Sequence, residues 1–145
     1  MTKQTFLVRD MLILEINLPP VPQKQTRFYV QKGRCFGVDP SKQDKEQIQW
    51  QIRPYAPTHP YEGAVQLDIT FFMQMPKAPA LKTKQMINGT ILPIKRPDLD
   101  NLSYLVVNAM KGIIYEDDSQ IVDLNLHKRY GEVPKTIVKV IELCA

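Results

Sequence analysis

Four aspartates in one short segment hold the chemistry open to this chain. In KRPDLDNLSYLVVNAMKGIIYEDDSQI, residues 95–121, Asp98 and Asp100 stand two apart and Asp117 and Asp118 are adjacent. Clustered carboxylates without a histidine or cysteine set favour a hard divalent cation such as magnesium, which takes oxygen ligands and keeps several waters. In extended backbone, residues i and i+2 point to the same side, so Asp98 and Asp100 can face one ion. Alone, a D-x-D before a helix reads as an N-cap with a solvated neighbour, and E-D-D-S as a polar turn. Together they point to a site, because several like charges converging on one place repel unless a cation is present. The expectation is that the fold brings the two pairs together, which requires the chain to run back across the sheet after the intervening element.

That element is a helix. Leu102, Leu105, Val106, Ala109 and Met110 fall at the spacing of one buried helical face. The spacing predicts a helix over Asn101–Lys111, with Asp100 as N-cap and Gly112 as the C′ residue. Leu12–Leu18 and Val65–Met73 alternate as strands. Arg27–Val30 and Cys35–Val38 pair as a hairpin about Lys32-Gly33, with Phe28, Tyr29 and Phe36 read as strand packing. Ser41–Ile52 reads as a helix opened by a capping box at Ser41 and Asp44. Pro76–Lys95 is a long polar connection, with Asn88-Gly89 folding its middle into a small hairpin. Ile121–Lys128 and Thr136–Leu143 are two further strands. The fold class is α/β: a single small domain with a mixed sheet and two main helices packed on it. Residues 1–10 read as an N-terminal extension and 11–145 as the domain.

Charge is distributed unevenly. Net charge is +4, yet the segment from Asp98 to Asp123 holds six acidic residues and one basic residue, Lys111. The rest of the chain has nine acidic and 18 basic residues. Lys24, Arg27, Lys32 and Arg34 form one run with no acid among them, and Lys77, Lys82, Lys84, Lys95 and Arg96 another. Singly, such runs are solvated loops. Two of them beside an acidic site suit a polyanion, because phosphate contacts supply most non-specific affinity. An acidic metal site on a basic body is the charge layout of a nuclease. The chain has no G-x-x-x-x-G-K phosphate loop, so no nucleotide cofactor is expected. Cys35 and Cys144 form no redox or metal motif, and His59 and His127 no zinc pattern; a reduced cytoplasmic setting is the simplest reading. No segment reaches membrane-spanning length, and Arg9 and Asp10 break the early apolar run, so no membrane partner or signal peptide is expected.

The order R-P-D-L-D-N-L, a short helix, then G-x-x-Y-x-D-D-x-Q-I resembles the RusA family of Holliday-junction resolvases. The detailed match covers about residues 95–135, including Lys128 and the G-E-V-P turn at Gly131–Pro134; L-P-P-V-P-Q-K at Leu18–Lys24 resembles the family's N-terminal strand and basic turn. The resemblance implies a RusA-like α/β fold and a homodimeric, magnesium-dependent endonuclease, often prophage-encoded, that nicks four-way DNA junctions symmetrically in recombination and repair. Manganese is the alternative ion. The family's catalytic, metal-holding aspartates map onto Asp98, Asp100 and Asp118, with Asp117 as the less critical member of its pair. Lys95, Arg96, Lys111 and Lys128 are candidates to neutralise phosphate charge, joining Lys24, Arg27, Lys32, Arg34, Lys82 and Lys84 as DNA contacts. Two positions depart from the family pattern: Tyr104 stands where a lysine is usual, and Asn108 where an aspartate is common. The rival readings are a junction- or DNA-binding module with weak or lost cleavage, and a structural protein whose acids merely cap elements.

Overall fold

The computed structural model describes residues 6–144. Its elements in chain order are β1 (Val8–Ile16), β2 (Arg27–Gln31), β3 (Arg34–Val38), α1 (Lys42–Ile52), β4 (Val65–Gln74), α2 (Ala80–Ile87), α3 (Leu99–Met110), β5 (Ile121–Gly131) and β6 (Lys135–Leu143). Four strands form one mixed sheet in the order β1-β6-β4-β5. β4 and β5 are parallel; β6 runs antiparallel to β1 and β4. The parallel pair requires a crossover between β4 and β5, and that crossover contains α2 and α3. β2 and β3 make a separate two-stranded sheet.

Period-two alternation decides which face of the sheet is covered. Leu14 and Ile16 of β1, Val65, Leu67, Ile69 and Phe71 of β4, and Val138 and Val140 of β6 are buried in one cluster. Ile48 and Ile52 of α1 and the stripe Leu102, Leu105, Val106, Ala109 and Met110 of α3 complete it. Each such side chain, fully buried, contributes roughly 1.5–3 kcal/mol, so truncating Leu102 to Ala costs about 2–5 kcal/mol. The stripe read from the sequence is thus what holds α3 across the sheet.

Four local expectations are corrected. The domain begins before residue 11: Val8, Arg9 and Asp10 lie in β1, Asp10 Oδ2 accepts a 2.7 Å bond from Tyr61, and Cys144 N donates to Leu7 O. Residues 1–5 of the expected extension lie outside the described residues. Ser41 makes no capping bond to α1. Its hydroxyl accepts instead from Lys24 N at 2.7 Å, tying the proline-rich segment to the helix start. The long connection after β4 contains α2, and Asn88-Gly89 is no hairpin: Asn88 is the C-cap and Gly89, at φ +84, ends the helix in the left-handed region. The buried Met86 anchors this helix, a tertiary gain invisible in a polar window. Finally, α3 starts at Leu99 with Asp98, not Asp100, at the N-cap position. Gly112, at φ +81, follows the C-cap Lys111 as expected.

Candidate active site

α3 acts as a ruler between the two aspartate pairs. Its 12 residues span about 18 Å at 1.5 Å per residue. Asp98 and Asp100 sit at its start. Asp117 and Asp118 come just before β5, which then runs back beneath the helix. Lys128, late in β5, reaches the backbone just ahead of Asp98. Ile121 and Lys128 are separated by about 23 Å of strand at 3.3 Å per residue. The pairs in one chain therefore lie on the order of 20 Å apart. The chain does run back across the sheet, but only after Asp118, so the return carries Lys128 rather than the second pair to the start of α3.

The start of α3 is built by basic neighbours. Lys128 Nζ donates to Lys95 O at 2.8 Å and Pro97 O at 3.0 Å, clamping the segment that presents Asp98. The Arg96–Pro97 peptide is cis. Asp98 is exposed and makes no side-chain capping bond. Asp100 is also exposed, and its Oδ1 accepts only a local bond from Asn101 N at 3.0 Å. Both carboxylates lie in the positive field of the helix N-terminus. Gln23 N donates to Asn101 O at 3.2 Å, which docks the Leu18–Lys24 turn here and roots the β2–β3 hairpin beside it. Lys24, Arg27, Lys95, Arg96 and Lys128 thus belong to this end. Lys32 and Arg34 extend along the hairpin. Lys82 and Lys84 lie on α2, whose Ile87 lines a hollow with Tyr130 and Gly131, at the same C-terminal end of β5 that carries Lys128.

The other end is acidic and heavily bonded. Lys111 Nζ lies 2.8 Å from Asp117 and 4.0 Å from Asp118. The hydrogen bond that Lys111 donates to Asp117, and then both negative charges, raise the Lys111 pKa. In return the Lys111 bond, followed by those from Ser119, holds the Asp117 carboxyl far below the usual carboxylate range. Asp117 also caps the 3-10 turn Asp118–Gln120, with Gln120 closing a reciprocal capping box. Gln120 Nε2 donates to Tyr61 O and Gly63 O, at 2.7 and 2.9 Å, stapling this turn to the start of β4. Burial first, then the charges of Asp118 and Asp117, raise the Tyr115 pKa, so its hydroxyl stays neutral and donates to Val107 O. The residues of G-x-x-Y-x-D-D-x-Q-I thus hold one another together. Sequence reasoning quoted Tyr115 and Gln120 but missed their bonding; their fixed spacing around the aspartates was the available signal.

The oxygen donors suit magnesium in kind, but one chain does not gather them. Among the described residues no group of three or more His, Cys, Asp or Glu is placed to hold a metal. Asp98 and Asp100 alone remain compatible with a magnesium ion, which commonly takes one or two protein carboxylates together with waters and substrate phosphate. Asp117 and Asp118 do not join them within the chain. Tyr104 is 59% exposed on α3, one turn beyond Asp100. Lys111 cannot stand in for a lysine there, being engaged by Asp117 at the opposite end. An apolar cavity of about 120 Å³, lined by Leu18, Pro20, Ile48 and Phe71, lies under the proline-rich segment, and neither aspartate pair lines it.

Fold and site together define a small α/β protein with exposed aspartates set in a basic end. The endodeoxyribonuclease RusA family model matches residues 17–141. The uncharacterized protein YqaN of Bacillus subtilis (strain 168) is 31% identical over 131 residues, covering 87% of this chain and 92% of that protein. The chain belongs to the RusA endodeoxyribonuclease family.

Proposed function

We propose that the chain is a divalent-cation-dependent endonuclease that nicks four-way DNA junctions as a homodimer, in recombination or repair. The observation that carries this reading is the pair Asp98 and Asp100, both exposed, at the basic end of a chain matched to the family over most of its length. These two residues would hold magnesium, which when bound supplies an activated water and stabilises charge on the phosphate. The chain's own groups position the substrate. Lys95 and Arg96 offer cations to the phosphate backbone, Lys128 fixes the peptide that presents Asp98, and the α3 N-terminus favours an anion.

The dimer has two supports. A four-way junction presents two symmetric cut positions, and one chain carries one Asp98–Asp100 pair, so a twofold pair of chains matches the substrate. A site that also uses Asp118 needs a second copy, because Asp118 of the same chain lies on the order of 20 Å away.

The second reading, a junction-binding module with weak cleavage, is favoured by one observation: Tyr104 leaves no cation on α3 beside Asp100. Titrating magnesium against a labelled four-way junction and a linear duplex, with EDTA controls, separates the two. Metal-dependent nicking of the junction is the expected result. Binding without nicking would establish the module, and neither binding nor nicking would overturn both.

A further inference from the structure

The β2–β3 hairpin has an unusual surface. Every residue of both strands is exposed, and none belongs to the core cluster. The aromatic residues read as strand packing pack within the hairpin and lie outside the core cluster. Phe28 and Val30 are 73% exposed, Tyr29 49% and Phe36 39%. A soluble chain rarely leaves so much contiguous apolar surface on an element with nothing to cover it.

The two faces differ in chemistry. Register places Tyr29 opposite Phe36, Arg27 opposite Val38 and Gln31 opposite Arg34, all on one face. The Tyr29 and Phe36 rings stack with centroids 5.4 Å apart and planes 24° from parallel. An arginine therefore lies one pair away on each side, at about 7 Å along the strands. On the other face, Phe28 lies across Gly37, where an added Cβ would come within 3.2 Å of its ring. At the tip Lys32 adopts φ +52 and Gly33 φ +74, the two positive values of a tight hairpin turn. Asparagine, aspartate or glycine is the common residue at the first of these positions; here it projects a lysine. From Lys24 to Val38 there is no acidic residue.

We propose that this hairpin is a base-stacking arm that reads the branch point of DNA. The proposal rests on the endonuclease reading above and adds to it a stacking role for Tyr29 and Phe36. A ring pair flanked by arginines matches what an unpaired or unstacked base offers: a flat π-face between two phosphates. A continuous duplex hides its base faces, so the arm distinguishes a branched substrate from a linear one by what each exposes. The acid-free run supplies charge complementarity to the backbone. The location fits as well. The hairpin is rooted by the Gln23–Asn101 and Lys24–Ser41 bonds beside the start of α3, so an arm engaged at a branch point leaves a nearby phosphate at Asp98 and Asp100.

The test uses the full chain in EDTA, with a fluorescent four-way junction and a linear duplex of equal length. Tyr29→Leu/Phe36→Leu keeps apolar strand residues and removes both rings. Junction affinity should fall roughly five- to one-hundred-fold while duplex affinity changes less than twofold and the salt slope is unchanged. Arg27→Ala/Arg34→Ala should instead flatten the log–log salt slope by about one to two units on both DNAs. With 2-aminopurine at the branch point, the wild type should quench its emission and the ring-deleted variant should not. Circular dichroism should show an unchanged fold, since the hairpin lies outside the core. If the ring-deleted variant binds the junction as the wild type does, the inference is overturned and the endonuclease reading stands. If the variant instead lowers the solution mass from dimer to monomer, the occupant of this surface is a second copy, which also overturns it. Failure of the wild type to bind any junction would overturn the endonuclease reading and the inference together.

Discussion

The two ends of α3 hold similar residues in opposite circumstances. At its start, Asp98 and Asp100 are exposed, and Lys128 beside them bonds backbone carbonyls rather than either carboxylate. At its finish, Asp117 is engaged by Lys111, Ser119 and the capping box, in a neighbourhood that also holds Asp10, Glu116 and Glu142 around Tyr61 and Gly63. A carboxylate already satisfied by protein donors is building structure. A carboxylate left to solvent beside cations is available to a ligand. Spacing in sequence treats the pairs alike; their partners set Asp117 apart, whereas Asp118 is exposed and approached by Lys111 only at 4.0 Å.

The comparison breaks first on substitution of the acids. Asp98→Asn or Asp100→Asn should lower junction cleavage by on the order of a hundredfold or more while DNA binding is kept or strengthened, since each change also removes a negative charge facing phosphate. Asp117→Asn should chiefly lower thermal stability. Nicking assays, gel shifts and thermal melts on the same preparations check this. Equal catalytic loss for Asp117→Asn, with an unaltered melt, would erase the distinction between the ends.

Mixing variants sharpens the role of Asp118. If a second copy brings Asp118 to the Asp98–Asp100 pair, then Asp98→Asn and Asp118→Asn chains, each inactive alone, should nick when refolded together, because one of the two sites in the mixed dimer is intact. About half of the dimers in an equimolar mixture are mixed if association is random, so activity near a quarter of the wild-type value is expected, with single nicks rather than paired cuts. No recovery, with dimers present, would confine each site to one chain or leave Asp118 a structural residue.

The lysines give a smaller contrast. Lys128→Ala frees the two carbonyls it ties and loosens the backbone under Asp98, so cleavage should drop by about tenfold. Lys111→Ala removes an exposed ion pair and should leave cleavage within about twofold. Single-turnover rates at saturating protein decide between them. A slow Lys111→Ala with a normal Lys128→Ala would reverse the assignment of the ends.

The smallest effect is on stability against pH. Burial, then in Tyr61 the bond to Asp10 and in Tyr115 the charge of Asp118, raise both tyrosines above their ordinary value of 10.0. A group whose proton is held more tightly in the folded state contributes fully below its unfolded pKa and loses that contribution as pH rises above it. Stability should therefore decline from about pH 10 upward, and Tyr115→Phe should be less sensitive there. Asp10, lowered by the Tyr61 bond and then by Met11 N, and Asp117 act in the opposite direction: their contributions hold above pH 3.8 and are lost as pH falls below it. Denaturant midpoints across this range provide the check; a flat alkaline limb would contradict the tyrosine account.

Much of the fold is legible in short windows. The alternation of Val65 to Met73 and the stripe of α3 are periodic signals, and burial of one face enforces them. The Lys32-Gly33 turn was visible because tight hairpins need residues at positive φ, although the lysine's own positive φ was not. The misreadings share a cause. α2 was hidden because Met86 is the one residue of the helix that the rest of the fold buries. Ser41 and Asp44 had the letters of a capping box, but Lys24 N claimed the serine hydroxyl from 17 residues away. The aromatic residues of the hairpin pack outside the core, which was not legible because a sequence does not say which strands join the main sheet.

By itself the sequence determined the types of the periodic elements, their apolar faces, the acidic segment and the two basic runs, since each follows from residue type and local periodicity. Tertiary structure alone decided how these are distributed in space. Inserting β6 between β1 and β4, and β5 parallel to β4 at the edge, sends α3 the full length of the sheet and separates its flanking aspartates. The same crossover brings Lys128 to Pro97 O from 31 positions away, and the Gln23–Asn101 bond sets the basic hairpin root at that end. Strand order and crossover are set by long-range burial, and no local pattern encodes them.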